Sequence, residues 1–295
     1  MENYAGIVTY NPNIDRLKEN VKSIANQVKC LYIVDNNSNN YSDIAGLVGK
    51  FNNITLCHNE ENMGIAQALN KIMEYSEKEG ANWTLLLDQD SVVPDNIVQS
   101  YNKYISLEKA GVLCAQIFDN NATNKIVVNT DIQEVGICLT SGSYVNVKVW
   151  ASVGKFREEL FIDSVDNEYS IRLYFKGYKT YRINEVVLNH ELGLSQKKVF
   201  KSVTNHNSLR RYYIARNSVL VANYFDEYLT RKKVEKRDRK KLNVFFDYHI
   251  SPTRIYLRQL QFMLLVVLYE KGKLRKLVAI VKGIIDANKM KLKEL

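Results

Sequence analysis

"LLLDQDSVVP", residues 85–94, is the stretch on which the reading of the fold turns. Three consecutive leucines after Trp83 leave neither face of a strand polar, the pattern of a strand covered on both sides in a parallel sheet. The run ends in two carboxylates one residue apart, Asp88 and Asp90. In open α/β sheets, ligands bind outside the carboxyl ends of the strands. A lone D-x-D there also reads as a solvated turn, which Asp95 continues. The chemical alternative is a divalent cation site, because hard oxygen donors hold Mg²⁺ or Mn²⁺ and the ion neutralises a diphosphate.

Working outward, the neighbouring segments repeat the pattern. "YAGIVTY" (4–10) is short, apolar and β-branched; Asn11-Pro12 marks a turn, and a helical periodicity follows from Ile14 to Val28. "CLYIVDNNSNN" (30–40) and "NITLCHNEENMG" (53–64) are two further strand-like runs, and "IAQALNKIMEYSEKEG" (65–80) is a helix ending at Gly80. Strands alternating with helices predict a doubly wound α/β unit over the first hundred residues. Its polar groups gather at strand ends: Thr9 and Asn11, Asp35 and Asn36, Asn62 and Gly64, Asp88 and Asp90. From about 110 to 190 the pattern is mixed, with strand-like runs, a helix over "DNEYSIRLYFKG" (166–177) and the short strand "VVLNHELG". A helix-rich tail begins near Leu209.

Bulk composition narrows the function classes. A chain of 295 residues with 46% hydrophobic residues and only 3 prolines builds a large core, which excludes disordered and collagen-like readings. The net charge of +9 is unevenly placed: residues 1–190 hold 17 Lys and Arg against 23 Asp and Glu, and residues 191–295 hold 24 against 9. Cys30, Cys57, Cys114 and Cys138 are far apart in apolar stretches, so no zinc or redox pair is expected. The run "RKKVEKRDRKK" (231–241) comes without a recognition motif, so nucleic-acid binding is not expected. No apolar run reaches the length that spans a bilayer, and the N-terminus reads as a strand rather than a signal segment. A cytoplasmic protein is the expectation.

Three further clusters carry potential chemistry. "FIDSVDNEYSIRL" places Asp163, Asp166 and Glu168 within six residues. Such a cluster is either an acidic helix start favoured by the helix dipole or a source of a general base. His190, one of four histidines, follows a strand and is either a core residue or a third metal ligand beside the Asp pair. "HNSLRRYYIARN" puts Arg210, Arg211 and Arg216 on one helix, as a solvated face or as guanidinium contacts to a phosphate.

Taken in order, "VTYNP", "VDNNSNN", "ENMGIAQALNKIM", "LLLDQDS", "TSGSYVNVKVW", "GKFREELFIDSVDNEYSIRLYFKG", "NHELG" and "LRRYYIARN" resemble the inverting family 2 glycosyltransferases of GT-A fold. More narrowly, they resemble the bacterial rhamnosyltransferases that build O-antigen, capsule and cell-wall polysaccharides from dTDP-L-rhamnose. The likeness runs from about residue 4 to 220. It implies that Thr9, Tyr10, Asn11 and Asp35 line the nucleotide pocket, with Asp35 accepting from the pyrimidine N3–H. Asn62 and Gly64 would meet the nucleotide at a strand-to-helix turn. Asp88 would face the ribose or metal, Asp90 would bind the Mg²⁺ or Mn²⁺ that bridges the phosphates, and His190 would join it. Arg211 and Arg216 fall in the region near the diphosphate. Asp166 aligns with the catalytic base, although Val165 stands where many relatives have Glu, which leaves Asp163 and Glu168 as partners or rivals. Ser141, Gly142 and Ser143 would lie beside the acceptor, Gly142 making room for a sugar ring.

The resemblance also implies a GT-A catalytic domain over 1–220, with a nucleotide half to about 105 and an acceptor half from 106. A helical region would follow over 221–295. It contains 10 Lys and Arg against 3 Asp and Glu over 251–295, so it is a candidate for the inner membrane surface or for a homodimer contact. Acceptors in this family are usually sugars on undecaprenyl diphosphate. Alternatives are the same fold with UDP-glucose, UDP-galactose or UDP-galactofuranose, or a non-catalytic scaffold of an assembly complex. A nucleotidyltransferase would carry a Gly-rich loop after its first strand, and "VTYNPNID" has none.

Overall fold

The structure, a computed structural model, describes residues 2–118, 131–189, 196–198, 201–203 and 206–294. The chain divides into two compact units, Met1–Glu158 with Tyr169–Glu191, and Glu159–Glu168 with Leu192–Leu295.

The first unit contains β1 (Tyr4–Thr9), α1 (Ile14–Ala25), β2 (Cys30–Asp35), α2 (Tyr41–Val48), β3 (Ile54–His58), α3 (Ile65–Lys78), β4 (Trp83–Asp88) and α4 (Ile97–Asn102). It continues with β5 (Ala110–Phe118), β6 (Ile132–Val135), β7 (Ser143–Asn146), α5 (Val147–Val153), most of α6 (Val165–Phe175) and β8 (Lys179–Asn189). One eight-stranded sheet runs in the order β3-β2-β1-β4-β7-β5-β8-β6. The first four strands are parallel, and β7 lies antiparallel between β4 and β5. Strand order reverses between β1 and β4, which is the switch point where an open sheet leaves a crevice for a ligand.

The leucine run behaves as read: Leu85, Leu86 and Leu87 have at most 1% exposure. Truncating one to Ala would cost about 2–5 kcal/mol. In contrast, β3 has no fully buried residue, only half-buried and exposed ones, because it is the sheet's edge and has one neighbour only. On α1, Leu17, Val21 and Ile24 recur at helical spacing toward the core, and Asn13 caps it by accepting from Arg16 N at 3.0 Å. It ends at Ala25, three residues before Val28. At Gly6 in β1, a Cβ would sit 2.2 Å from Ile72 Cγ2 of α3, so only glycine lets this helix lie so close to the sheet.

The second unit holds the hairpin of β9 (Gln196–Lys198) and β10 (Lys201–Val203), followed by α7 (Ser208–Arg231), α8 (Lys236–Phe245), α9 (Pro252–Tyr269) and α10 (Lys273–Lys289). Helix α7 passes without a break through residue 220, where the sequence suggested a boundary. Ala215, Val266 and Ile280 form its small core, with Met263, Leu277 and Ile284 packed around them. Where α10 crosses α7, a Cβ on Gly283 would lie 2.5 Å from Tyr212 O. Buried Glu270 accepts from Arg211 and from Lys276 Nζ at 2.8 Å, so its own charge is paired twice over and the triad carries a net positive charge. The basic run 231–241 falls on the end of α7 and on α8, a helix with no buried residue. Among the described residues, no helix is long and apolar enough to cross a membrane.

Candidate active site

Asp35, at the end of β2, has no exposed surface. Its Oδ1 accepts from Thr9 Oγ1 at 2.9 Å and from the Ser38 hydroxyl, and its Oδ2 accepts from Ser38 N at 3.0 Å. His58 Nδ1 lies 2.9 Å from the same Oδ2. A carboxylate offers about four lone-pair positions; three donors and the His58 ring nitrogen lie against them here. In this structure Asp35 is the hub that fixes Thr9, Ser38 and His58, and a pyrimidine N3–H would have to share the carboxylate with them. The Tyr41 ring centroid is 4.1 Å from that of His58, a tilted aromatic pair whose other member is pinned to the hub.

The rest of the strand-end network is also made of short polar side chains. Asn11 N donates to Ser38 Oγ at 2.7 Å, and Asn11 Oδ1 accepts from Asn39 N at 2.8 Å. Buried Asn36 donates to Gly64 O at 3.1 Å and accepts from Asn59 Nδ2 at 2.8 Å. Gly64 adopts φ 83° and precedes α3, a conformation that an L-residue rarely takes, and Asn62 Oδ1 accepts from its N–H at 3.0 Å. Tyr10 is exposed, and its backbone N–H donates to Gln89 Oε1 at 2.8 Å, tying the β1 end to the D-Q-D turn. Thr9, Tyr10, Asn11, Asp35, Asn62 and Gly64 thus belong to the carboxyl ends of adjacent strands.

Asp88 is half-buried. Its backbone is gripped from two sides: Asn20 Nδ2 donates to Asp88 O at 2.7 Å, and Asp88 N donates to Ser141 Oγ at 3.2 Å. Asp90 is exposed and lines an open cleft of about 540 Å³ with Asn13, Asp15, Arg16, Glu19 and Gln89. Among the described residues, no group of three or more His, Cys, Asp or Glu converges on a point that would hold a metal. His190 lies outside the described residues. The donor chemistry still fits a hard cation: Mg²⁺ is commonly held by one or two carboxylates, with waters and substrate phosphates completing the shell. Asp90 is a solvent-facing carboxylate on a turn anchored through Asp88, a donor of the kind such a shell uses.

The residues expected beside the acceptor are internal. Ser141 and Ser143 are each 3% exposed. Ser141 Oγ lies 2.7 Å from Ser91 Oγ, and Ser143 Oγ donates to Thr140 O at 2.6 Å. Gly142 adopts φ 79°, and a Cβ there would meet Leu188 Cδ2 at 2.9 Å. The space on the Cβ side of Gly142, where a sugar ring was expected, is filled by Leu188, and Ser141 accepts from the Asp88 backbone.

In the second unit, the acidic loop is strained and clamped. Phe161, Asp163 and Ser164 have φ of 62°, 64° and 64°. Asn217 Nδ2 reaches the carbonyls of Leu160, Ile162 and Asp163 at 2.6, 2.7 and 2.9 Å. Arg216 donates to Glu159 O at 2.6 Å and Leu160 O at 3.2 Å, and its Nε donates to Asn217 Oδ1 at 2.8 Å. Asp163 pairs with Arg210 at 3.2 Å. Burial pushes the Asp163 carboxyl above its ordinary value, with Arg210 opposing the shift. Asp166, on the first turn of α6, is half-buried and its Oδ1 accepts from Asn167 N at 2.9 Å. Glu168 has no exposed surface, which removes it from contact with a bound hydroxyl in this conformation. Arg211 and Arg216 are 5% and 8% exposed and are engaged in this structure with Glu270 and with loop carbonyls.

Ser38, His58, Gln89 and Asn217 were not singled out from the sequence. Ser38 had a local signal, since it stands in the Asn/Ser cluster after Asp35, where short polar side chains bond nearby backbone. His58 comes from strand register, opposite Asp35, and Asn217 from a tertiary contact.

Comparison with known proteins accords with this architecture. The model of the family described as "Glycosyl transferase family 2" matches residues 4–202. The "dTDP-rhamnosyl transferase RfbF" of Shigella flexneri is 30% identical over 237 residues, 74% of this chain and 79% of that protein. Among solved structures, S. aureus TarS superposes with a TM-score of 0.59 at 16% identity, over 97% of this chain and 54% of that one. TarS 1–349 in complex with UDP-GlcNAc gives a TM-score of 0.53 at 12% identity, over 100% of this chain and 93% of that one. GalNAc-T7 with UDP, GalNAc and Mn²⁺ gives 0.57 at 13% identity, over 90% and 57%. At such identities these structures speak for the GT-A fold alone. With two thirds of its length matched by the family model and a sheet whose polar strand ends meet at the switch point, the chain belongs to the family 2 glycosyltransferases.

Proposed function

We propose that this glycosyltransferase moves L-rhamnose from dTDP-L-rhamnose to a saccharide acceptor carried on undecaprenyl diphosphate, with inversion at the anomeric carbon. The observation that carries the donor assignment is the 30% identity to a dTDP-rhamnosyl transferase across most of both chains. The reaction is a single in-line displacement. Thr9, Tyr10, Asn11, Asn62 and Gly64 hold the nucleotide, and Asp35 acts through Ser38 and His58. Asp90, with Asp88 beside it and His190 as a further ligand, would hold a Mg²⁺ or Mn²⁺, which when bound neutralises charge on the departing diphosphate.

Asp166 is the proposed general base. A sugar hydroxyl has a pKa far above 7, and a positioned carboxylate that takes its proton typically contributes about 10²- to 10⁴-fold in rate. Asp163 neighbours it in the same loop, and Glu168 is proposed to support the helix start rather than to exchange protons. The site of action is the inner face of the cytoplasmic membrane, where such acceptors are presented.

Nucleotide release measured with a panel of dTDP-, UDP- and GDP-sugars, with and without Mg²⁺ and a lipid-linked acceptor, tests this reading. Turnover with dTDP-L-rhamnose is expected. Turnover with UDP-glucose, UDP-galactose or UDP-galactofuranose in its place overturns the donor, and no turnover with any sugar overturns the catalytic reading in favour of a scaffold. Asp166→Asn should abolish transfer while leaving nucleotide binding intact; if Asp163→Asn alone does so, the base is Asp163.

A further inference from the structure

The second unit leaves two apolar stripes unpartnered. On α9, Leu257, Leu260, Leu264 and Leu268 recur at steps of three and four residues and are 48–61% exposed. They lie opposite Ile255, Gln259 and Val266, through which the helix is buried. On α10, Leu274, Val278, Val281 and Ile285 repeat the spacing, with Leu274 at 75% exposure. They lie opposite Lys276, Ile280, Gly283 and Ala287. Each helix therefore has a packed face and an outer face, and the outer face is apolar. Isolated exposed leucines are ordinary, but two parallel-spaced stripes on consecutive helices are an interaction surface.

Charge decides what covers it. Lys271, Lys273, Arg275 and Lys282 are exposed around the stripes. The carboxylates of the same stretch are turned to internal work: Glu270 is buried between Arg211 and Lys276, and Asp286 accepts from Tyr212 OH at 2.8 Å. What faces outward is hydrocarbon rimmed by cations. A second copy would bring an identical cationic rim against this one, whereas an anionic lipid surface neutralises it and takes up the apolar side chains. Beside the start of α9, Lys236, Lys240 and Arg254 line a further cleft of about 300 Å³ with Tyr248 and Ser251. It adds positive charge to the same unit.

We infer that the outer faces of α9 and α10 dock this unit on an anionic bilayer surface, the leucine stripes entering the headgroup boundary and the lysines meeting lipid phosphates. The docking does not rest on the sugar that is transferred, and its test needs no turnover. The full chain is sedimented with vesicles of phosphatidylcholine alone and of equimolar phosphatidylcholine and phosphatidylglycerol. Wild type is expected to pellet with the anionic vesicles only, and less so as salt is raised. A double variant Leu264→Glu with Val278→Glu changes only exposed side chains, and an unaltered thermal unfolding curve checks its fold. It should lose anionic-vesicle affinity by about tenfold or more. Absence of wild-type binding to anionic vesicles overturns the inference, as does binding that the double variant retains in full. Dimerisation in sedimentation velocity that the same variant abolishes, in a protein indifferent to vesicles, would assign the stripes to a second copy instead.

Discussion

Replacing Asn217 by alanine should disable catalysis without touching the nucleotide. The acidic loop holds Phe161, Asp163 and Ser164 in the left-handed region, at about 1–2 kcal/mol for an L-residue and less for Asp, so roughly 2–5 kcal/mol opposes the observed loop. Asn217 meets it with one amide group, its two N–H bonds shared among carbonyls at 2.6, 2.7 and 2.9 Å. Each such bond is worth about 0.5–1.5 kcal/mol net, and a buried carbonyl left without its donor costs about 1–3 kcal/mol. Arg216 supplies two further bonds to Glu159 and Leu160, which resist the loop's release at one end but do not reach Ile162 or Asp163.

Loss of the amide therefore removes a stabilisation comparable with the strain, and the loop relaxes around Asp163 and Asp166. We expect unfolding in urea to lose about 2–4 kcal/mol and kcat to fall by about 10²-fold, the usual effect of misplacing a reacting group by an ångström. The KM for the nucleotide sugar should stay near wild type. Asn217→Asp sharpens the test, because a carboxylate facing three carbonyl oxygens repels them: it should be worse than alanine despite its shape. An alanine variant that melts lower yet keeps wild-type kcat per folded molecule would refute the positioning role.

Two predictions concern the acidic clusters. Burial raises the Asp163 carboxyl and Arg210 opposes it, so Arg210→Gln should raise it further, while the acid limb of kcat/KM, which reports the base, stays near its wild-type position if that base is Asp166; a limb that follows Asp163 upward would make Asp163 the base. The folded state then holds the Asp163 proton over a wider window above the ordinary carboxylate value, so stability of the variant should fall more steeply as pH rises through that window, as pH-dependent urea midpoints would show. Asp90→Ala should flatten the Mg²⁺ dependence of donor binding in calorimetric titration, and an unchanged titration would remove Asp90 from the ligand set.

The strands and their polar ends were legible because covering both faces of a parallel sheet writes an uninterrupted apolar run, as in Leu85–Leu87, and the chain's polar residues then have only the ends to occupy. Roles were less legible than places. Arg211 and Arg216 read as phosphate ligands, since a guanidinium on a helix has the same sequence signature whether its partner is a phosphate, a buried Glu270 or a row of carbonyls. Asp35 read as a direct base contact, because the residues that fill its lone pairs come from the next strand's register and from a turn, and hydrophobic periodicity carries neither. Gly142 read as open space, when its missing Cβ accommodates Leu188. Glycine records a close approach without saying what approaches.

The two acidic clusters differ in the physical property that their proposed tasks demand. A carboxylate that holds a divalent cation must stay ionised and must exchange water for phosphate oxygens, and Asp90 is an exposed residue on an open cleft. A carboxylate that takes part in proton transfer works best with its affinity for a proton raised toward the operating pH. Asp163 is mostly buried and shifted in that direction by burial, in the loop that also carries Asp166. Were Asp163 to hold the cation instead, burial would penalise its ionised form; Asp166 shares that loop, on the first turn of α6, and is proposed as the base on that position. In this reading the D-Q-D turn and the 163–168 loop are not redundant acids, and neither should rescue the loss of the other: an Asp166→Asn protein, which keeps Asp90, must stay without turnover however far Mg²⁺ is raised.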